Sequence, residues 1–241
     1  MSRLISAMKL DIKVQIRNHL YVIGIGFAVF LAILLSQLTS PSQLYTVIPV
    51  MTLLVIGGST LLYVAAMILL EKGERTLHAV VVTPLQTSQY LGAKIGSLTL
   101  LATLESLFMI VGLMAIMRLS GPILWPNGFI LVGGILAIAI IYILIGIILV
   151  VRFNKITDFL VPMSGVAILL QLPFLHFLNI VQHPLFLFIP TSAQTLWMQG
   201  AFVPLSVGEW CYALGYTVLC FVGLFIWAKS AFHKHVIQKV R

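Results

Sequence analysis

The sequence predicts an all-α integral membrane protein with six transmembrane helices, and three observations carry that prediction. Of 241 residues, 61% are hydrophobic and only 8% charged, whereas a water-soluble domain needs roughly a quarter charged residues to cover its surface. Six apolar runs approach or exceed the ~20 residues that a helix needs to cross a bilayer. The basic residues fall almost entirely in alternate connections between those runs, the pattern that cytoplasmic loops show. A water-soluble globular domain is excluded. The formal charge of +8 belongs to loops beside anionic headgroups, not to a nucleic-acid surface.

Residues 1–19 have neither the short apolar core nor the small-residue cleavage site of a signal peptide. On a helical wheel Leu4, Ile5, Met8, Ile12 and Ile16 share one face, and Arg3, Ser6, Lys9, Lys13 and Arg17 the opposite one. That pattern predicts an amphipathic basic helix lying in the headgroup layer. The spans follow at 20–38, 47–70, 91–117, 128–151, 159–181 and 210–228, since lipid offers no partner to an exposed peptide group.

With the N-terminus inside, the cytoplasmic segments hold Arg3, Lys9, Lys13 and Arg17; Lys72, Arg75 and Lys94; Arg152 and Lys155; and Lys229, Lys234, Lys239 and Arg241. Only Arg118 falls outside, so both termini are expected to be cytoplasmic. Segment 182–209 has apolar clusters interrupted by Pro184, Pro190 and Pro204. A seventh span there would export the basic C-terminus, so short re-entrant or interfacial helices are expected. Cys211 and Cys220 read as small buried hydrophobes, with neither a disulfide nor a metal site suggested.

The most polar interior stretch follows the second span: Glu71-Lys72-Gly73-Glu74-Arg75-Thr76-Leu77, then Val80-Val81-Val82-Thr83-Pro84-Leu85, then Tyr90-Leu91-Gly92-Ala93-Lys94. Thr83 suits an N-cap, Pro84 the first helical position and Gln86 the third position after the cap, so a helix feeding the third span is expected to start there. In Gly92-Ala93-Lys94-Ile95-Gly96-Ser97 the lysine is misplaced for a phosphate loop and no strand precedes it. No ATPase is therefore expected in this chain.

With that loop placed inside, the chain resembles the permease subunits of ABC-2 type transporters, the type V ABC exporter fold. The loop motif is most similar to the fluoroquinolone-export subgroup, although Gly73 precedes Glu74-Arg75 here instead of following them. The resemblance covers nearly the whole length, as a single transmembrane domain over 1–241. It implies a coupling helix within 71–90, with Glu71, Lys72, Glu74, Arg75, Thr76, Leu77, Thr83 and Pro84 meeting a separate ATPase subunit. It also implies two ATPase copies that bind the ATP and magnesium, and a second permease copy, identical or related. The expected setting is the bacterial cytoplasmic membrane, and the expected cargo is drug-like or lipid-like and amphipathic. The chain itself would hold no cofactor and no metal. An ordinary polar loop obeying the charge rule is the plainer reading of the same stretch.

Glu105, near the middle of the third span, must face water, a partner or a proton. It is a candidate for the transport pathway or for a structural hydrogen bond. Gln171, His176 and Asn179, with Pro162 and Pro173, mark the fifth span as polar and kinked, either lining a path or holding helices together. Arg152, Lys155 and Asp158 read as an anchoring turn, and His233-Lys234-His235 as a solvated tail. Two other readings remain: a heme-maturation or assembly permease of the same superfamily, and an intramembrane enzyme. The enzyme reading lacks a His-Glu-x-x-His, paired intramembrane aspartates or a matched Ser/His pair.

Overall fold

A computed structural model describes residues 2–73 and 86–237. Among them there is no strand. Helix α1 spans Ser2–Arg17, α2 Leu20–Leu38, α3 Leu44–Gly73, α4 Thr87–Ser120, α5 Gly128–Val150, α6 Ile156–Gln171, α7 Pro173–Phe177, α8 Pro190–Gln199 and α9 Val207–Phe232. Short 3-10 turns cover Pro41–Gln43 and Pro184–Phe188, and a π-helical turn His233–Ile237 closes the described chain. Six helical segments are long and apolar enough to cross a membrane, at the six places the hydropathy marks. The protein is a multi-pass membrane protein.

Burial sorts the six. In α3, α4 and α5 more than half of the apolar window is covered by protein, whereas in α2, the α6–α7 pair and α9 only 22% is. The first three form the centre and the others clad it. Their outward residues, such as Val22, Phe30, Val161, Val218 and Ile226, are exposed, which suits a lipid-facing surface. Cys211 is exposed and Cys220 half-buried on α9. The expectation that both are buried fails because α9 is a cladding helix, whose apolar residues face outward as often as inward.

Local chemistry sets the ends. Helix α2 meets α4 through a stripe of small residues, Gly24, Ala28 and Ala32, all buried, so the backbones approach closely. Span five is broken where Pro173 has no N–H to continue the ladder. It then stops at Asn179, which adopts the left-handed conformation at φ 59°. The Ile180 N–H donates to the Leu175 carbonyl at 2.9 Å and the Asn179 N–H to the His176 carbonyl at 3.1 Å, the paired bonds of a Schellman motif. The fifth span therefore ends at Phe177, four residues short of the sequence boundary.

The proline-rich segment folds as short helices, and α8 among them is well covered. At about 1.5 Å per residue it is about 15 Å long, half a bilayer core. Its buried face (Thr191, Ser192, Gln194, Thr195, Met198) is largely polar. Thr191 Oγ1 donates to the Leu170 carbonyl, Ser192 Oγ to the Phe186 carbonyl and Gln194 Nε2 to Thr217 Oγ1. Tyr212 and Tyr216 of α9 donate to the Leu187 and Phe188 carbonyls. These side chains satisfy a broken backbone that lipid could not.

Candidate functional site

Helix α1 uses only part of the face that simple amphipathicity assigns to it. Its buried residues are Asp11 and Gln15, with Leu4 and Met8 half-buried beside them. Ile5 and Ile16 are exposed. The side chains of Leu4 and Met8 face Gly92 and Gly96 of α4. The helix is thus rotated toward its polar pair, because Lys94 of α4 is buried at 1% exposure and needs anionic partners. Lys94 Nζ reaches Asp11 Oδ1 at 2.6 Å and Glu71 Oε1 at 2.5 Å. The Tyr90 hydroxyl donates to Glu71 Oε2 at 2.6 Å, and Gln15 Nε2 donates to Ser97 Oγ at 3.1 Å. One ammonium therefore ties α1, the last turn of α3 and the first turns of α4 into one knot.

Burial raises the pKa of the Asp11 carboxyl above the ordinary 3.8, with the Lys94 ammonium acting in the opposite direction. An opposite charge lowers a carboxyl pKa and desolvation raises it. Here desolvation is the larger effect.

Lys72 is the second anchor. Its ammonium donates to the Val151 carbonyl at 2.9 Å and the Phe153 carbonyl at 2.7 Å. Those carbonyls lie just beyond the end of α5, where a helix leaves acceptors unsatisfied and favours a cation. Glu71 and Lys72, adjacent in sequence, thus fix the exit of α3 to two different neighbours. The return is fixed too: Gln86 caps α4 with an extended backbone, and Gln89 Oε1 accepts its N–H at 3.2 Å. This corrects the expected cap, since Gln86 is itself the N-cap of α4 and not its third residue. Glu74, Arg75, Thr76, Leu77, Thr83 and Pro84 lie outside the described residues. What is described is their base, a closed polar knot.

Glu105 lies deeper, between α2, α3 and α4, and is 1% exposed. Ser59 Oγ donates to its Oε2 at 2.9 Å, and the Tyr63 hydroxyl lies against the same carboxyl. Its Oε1 has no hydrogen-bond partner among the described residues. Helix α2 passes over this point at Gly24, where a β-carbon would fall 2.7 Å from the Tyr63 hydroxyl. Ser59 and Tyr63 also line a groove of about 480 Å³ between α2 and α3, otherwise walled by Ile23, Phe27, Leu31, Met51, Leu54, Val55, Gly58 and Leu62.

The other pathway candidates do not join it. Gln171 Nε2 approaches the Leu54 carbonyl at 3.4 Å and the Gly57 side of α3. His176 packs edge-on against Phe177, with its Nδ1 buried and without a hydrogen-bond partner among the described residues. Asn179 is exposed, ends α7 and accepts from Gln182 Nε2 at 2.7 Å. Asp11, Gln15, Tyr90, Ser97, Ser59 and Tyr63 escaped the sequence reading. The available signal was Asp11 and Gln15 on one arc with Leu4 and Met8, a polar pair inside an otherwise apolar seam.

A six-span helical bundle with a polar knot between its first, third and fourth helices defines a polytopic membrane protein. The model of the fluoroquinolones export permease protein family matches residues 2–240. The fluoroquinolones export permease protein of Mycobacterium tuberculosis, in each of two strains, is 32% identical over 249 aligned positions, covering 99% of this chain and 98% of its own length. The chain belongs to that family, a subgroup of the ABC-2 type permeases, as the motif around Glu71-Lys72 and Thr83-Pro84-Leu85 implies.

Proposed function

We propose that this chain is the membrane-embedded half of an ATP-driven exporter, moving amphipathic drug-like molecules out of the cytoplasm or the inner leaflet. The observation that carries this is the chain-long family match. The relatives are named for export of fluoroquinolones, which makes compounds of that kind the first cargo to test. Energy comes from a separate ATPase subunit that binds ATP and magnesium. Two such subunits serve two permease copies, either this chain twice or this chain with a related one. The termini lie on the cytoplasmic side of a bacterial inner membrane.

Segment 74–85 is the coupling element, and the geometry of its base supports that role. A stroke delivered to a loop is transmitted only if the loop's roots are stiff. Here Glu71 ties the α3 root to Lys94 of α4, which also holds Asp11 of α1, and Lys72 ties it to the turn after α5. A force on the loop therefore reaches three central helices at once, switching access between the two sides of the membrane.

A tagged chain should copurify an ABC-type ATPase from its native host. In the reconstituted complex, replacing Glu74 and Arg75 together by Ala should lower ATPase activity and transport by roughly tenfold or more. Unchanged activity with an intact assembly would remove this loop as the coupling element.

A further inference from the structure

We infer that the groove between α2 and α3 binds a hydrophobic monocation, with an apolar body along the groove and a protonated amine at its Ser59–Tyr63 end. The inference builds on the exporter reading and names its cargo chemistry. A volume of about 480 Å³ lies within the range typical of small-molecule sites, ~300–1,000 Å³. The walls are apolar side chains such as Phe27, Leu31, Met51 and Leu62, and only Ser59 and Tyr63 bring polar side chains to the lining.

Those two hydroxyls share one neighbour, the Glu105 carboxyl behind them. Its Oε1 is buried without a partner among the described residues. A carboxyl so placed in a membrane span takes up a proton or a counter-charge, because neither lipid nor the apolar wall can solvate its ionised form. The other basic side chain of α4 on that side, Lys94, is already held by Asp11 and Glu71. A cationic ligand supplies that charge in place of the proton. An ammonium at that end donates to the Ser59 and Tyr63 oxygens and is neutralised by Glu105, while its hydrocarbon part displaces lipid or water from the groove. A neutral compound of the same shape gains the burial and forfeits the charge pairing. An anion is repelled.

Gly58 offers a handle, since a β-carbon built there meets nothing within 4 Å and points into the groove it lines. The test uses the full chain in lipid nanodiscs, without ATP or partner. The probes are dansylcadaverine, a fluorescent primary ammonium, and its neutral N-acetyl derivative. Wild-type protein should bind the ammonium about tenfold more tightly than the amide, the preference one buried charge pair confers. Glu105→Gln, which keeps a hydrogen-bond acceptor for Ser59, should abolish that preference. Gly58→Phe should weaken both probes about equally.

Equal affinity of the two probes for the wild-type protein overturns the inference, and so does a preference that survives Glu105→Gln. Undiminished binding in Gly58→Phe does the same. The wild-type comparison and Gly58→Phe decide the matter even where Glu105→Gln does not fold. ATP-driven transport by the complex is read separately. Transport without the probe preference removes this site and leaves the exporter standing. A probe preference without transport overturns the exporter reading and the cargo role with it.

Discussion

Lys94 is the residue on which the polar knot turns, and its two carboxylate partners are not equivalent. Replacing Lys94 by Met removes the buried ammonium that Asp11 and Glu71 share. That loss should cost about 3–5 kcal/mol, as breaking a buried ion pair from one side does. Thermal melts in detergent should show it as a large drop in midpoint. Asp11→Asn should cost under about 1 kcal/mol, because Lys94 keeps Glu71 and the desolvation of a second carboxylate is relieved. The pH dependence separates the two effects. Because the folded-state pKa of Asp11 is raised, the folded state holds its proton longer than the unfolded state does. Its contribution to stability therefore falls as pH rises from the ordinary 3.8 through the raised value. Wild-type stability measured against Asp11→Asn should decline across that window, and a difference that grows with pH would contradict the burial argument.

Among the elements, α3 carries adjacent glycines that do opposite things. A β-carbon on Gly57 would lie 2.6 Å from the Tyr142 hydroxyl and 2.8 Å from Gln171 Nε2. Gly57→Ala should destabilise by about 1–3 kcal/mol, the usual cost of overpacking. Gly58→Ala meets open space and should be neutral or stabilising by up to about 1 kcal/mol. Melting temperatures of the two variants make the comparison. The end of span five gives a second contrast. Asn179→Gly should hold or gain stability, and Asn179→Val should lose about 1–2 kcal/mol at a left-handed position. Neither should alter cargo binding if Asn179 serves as a helix stop and not as a pathway residue. The element boundaries show what was readable in advance. The limits of α2 were legible because a short apolar run ends in polar residues on both sides. The early stop after α7 was not, because apolarity continues through Ile180 and Val181 while the backbone turns at Asn179.

For the whole molecule, hydropathy and charge fixed the number of spans, while the sorting into centre and cladding emerged from packing. All six runs are apolar, and a run facing lipid reads like one facing protein, so composition could not tell α3 from α9. The same ambiguity misplaced Cys211. The candidate site divides similarly. The loop's position and kinship were visible in Glu71-Lys72 and Thr83-Pro84-Leu85. Yet the pairing of α1 with α4 through Asp11 was not legible in its amphipathic pattern. If the knot transmits force, the double replacement of Glu74 and Arg75 and the single change Lys94→Met should both lower ATPase activity and transport in the complex. Only Lys94→Met should also lower the melting temperature of the isolated permease.

The sequence alone determined that this chain lives in a bilayer, how many times it crosses, and which family it belongs to. Each of those follows from local runs of apolar residues, from charge between them, or from a contiguous motif. Tertiary structure decided which residues meet: Asp11 with Lys94 and Glu71 across three helices, and Ser59 with Glu105 beside a groove that no single helix forms. The reason is that burial creates the demand for a partner, and only packing determines which side chain is near enough to meet it.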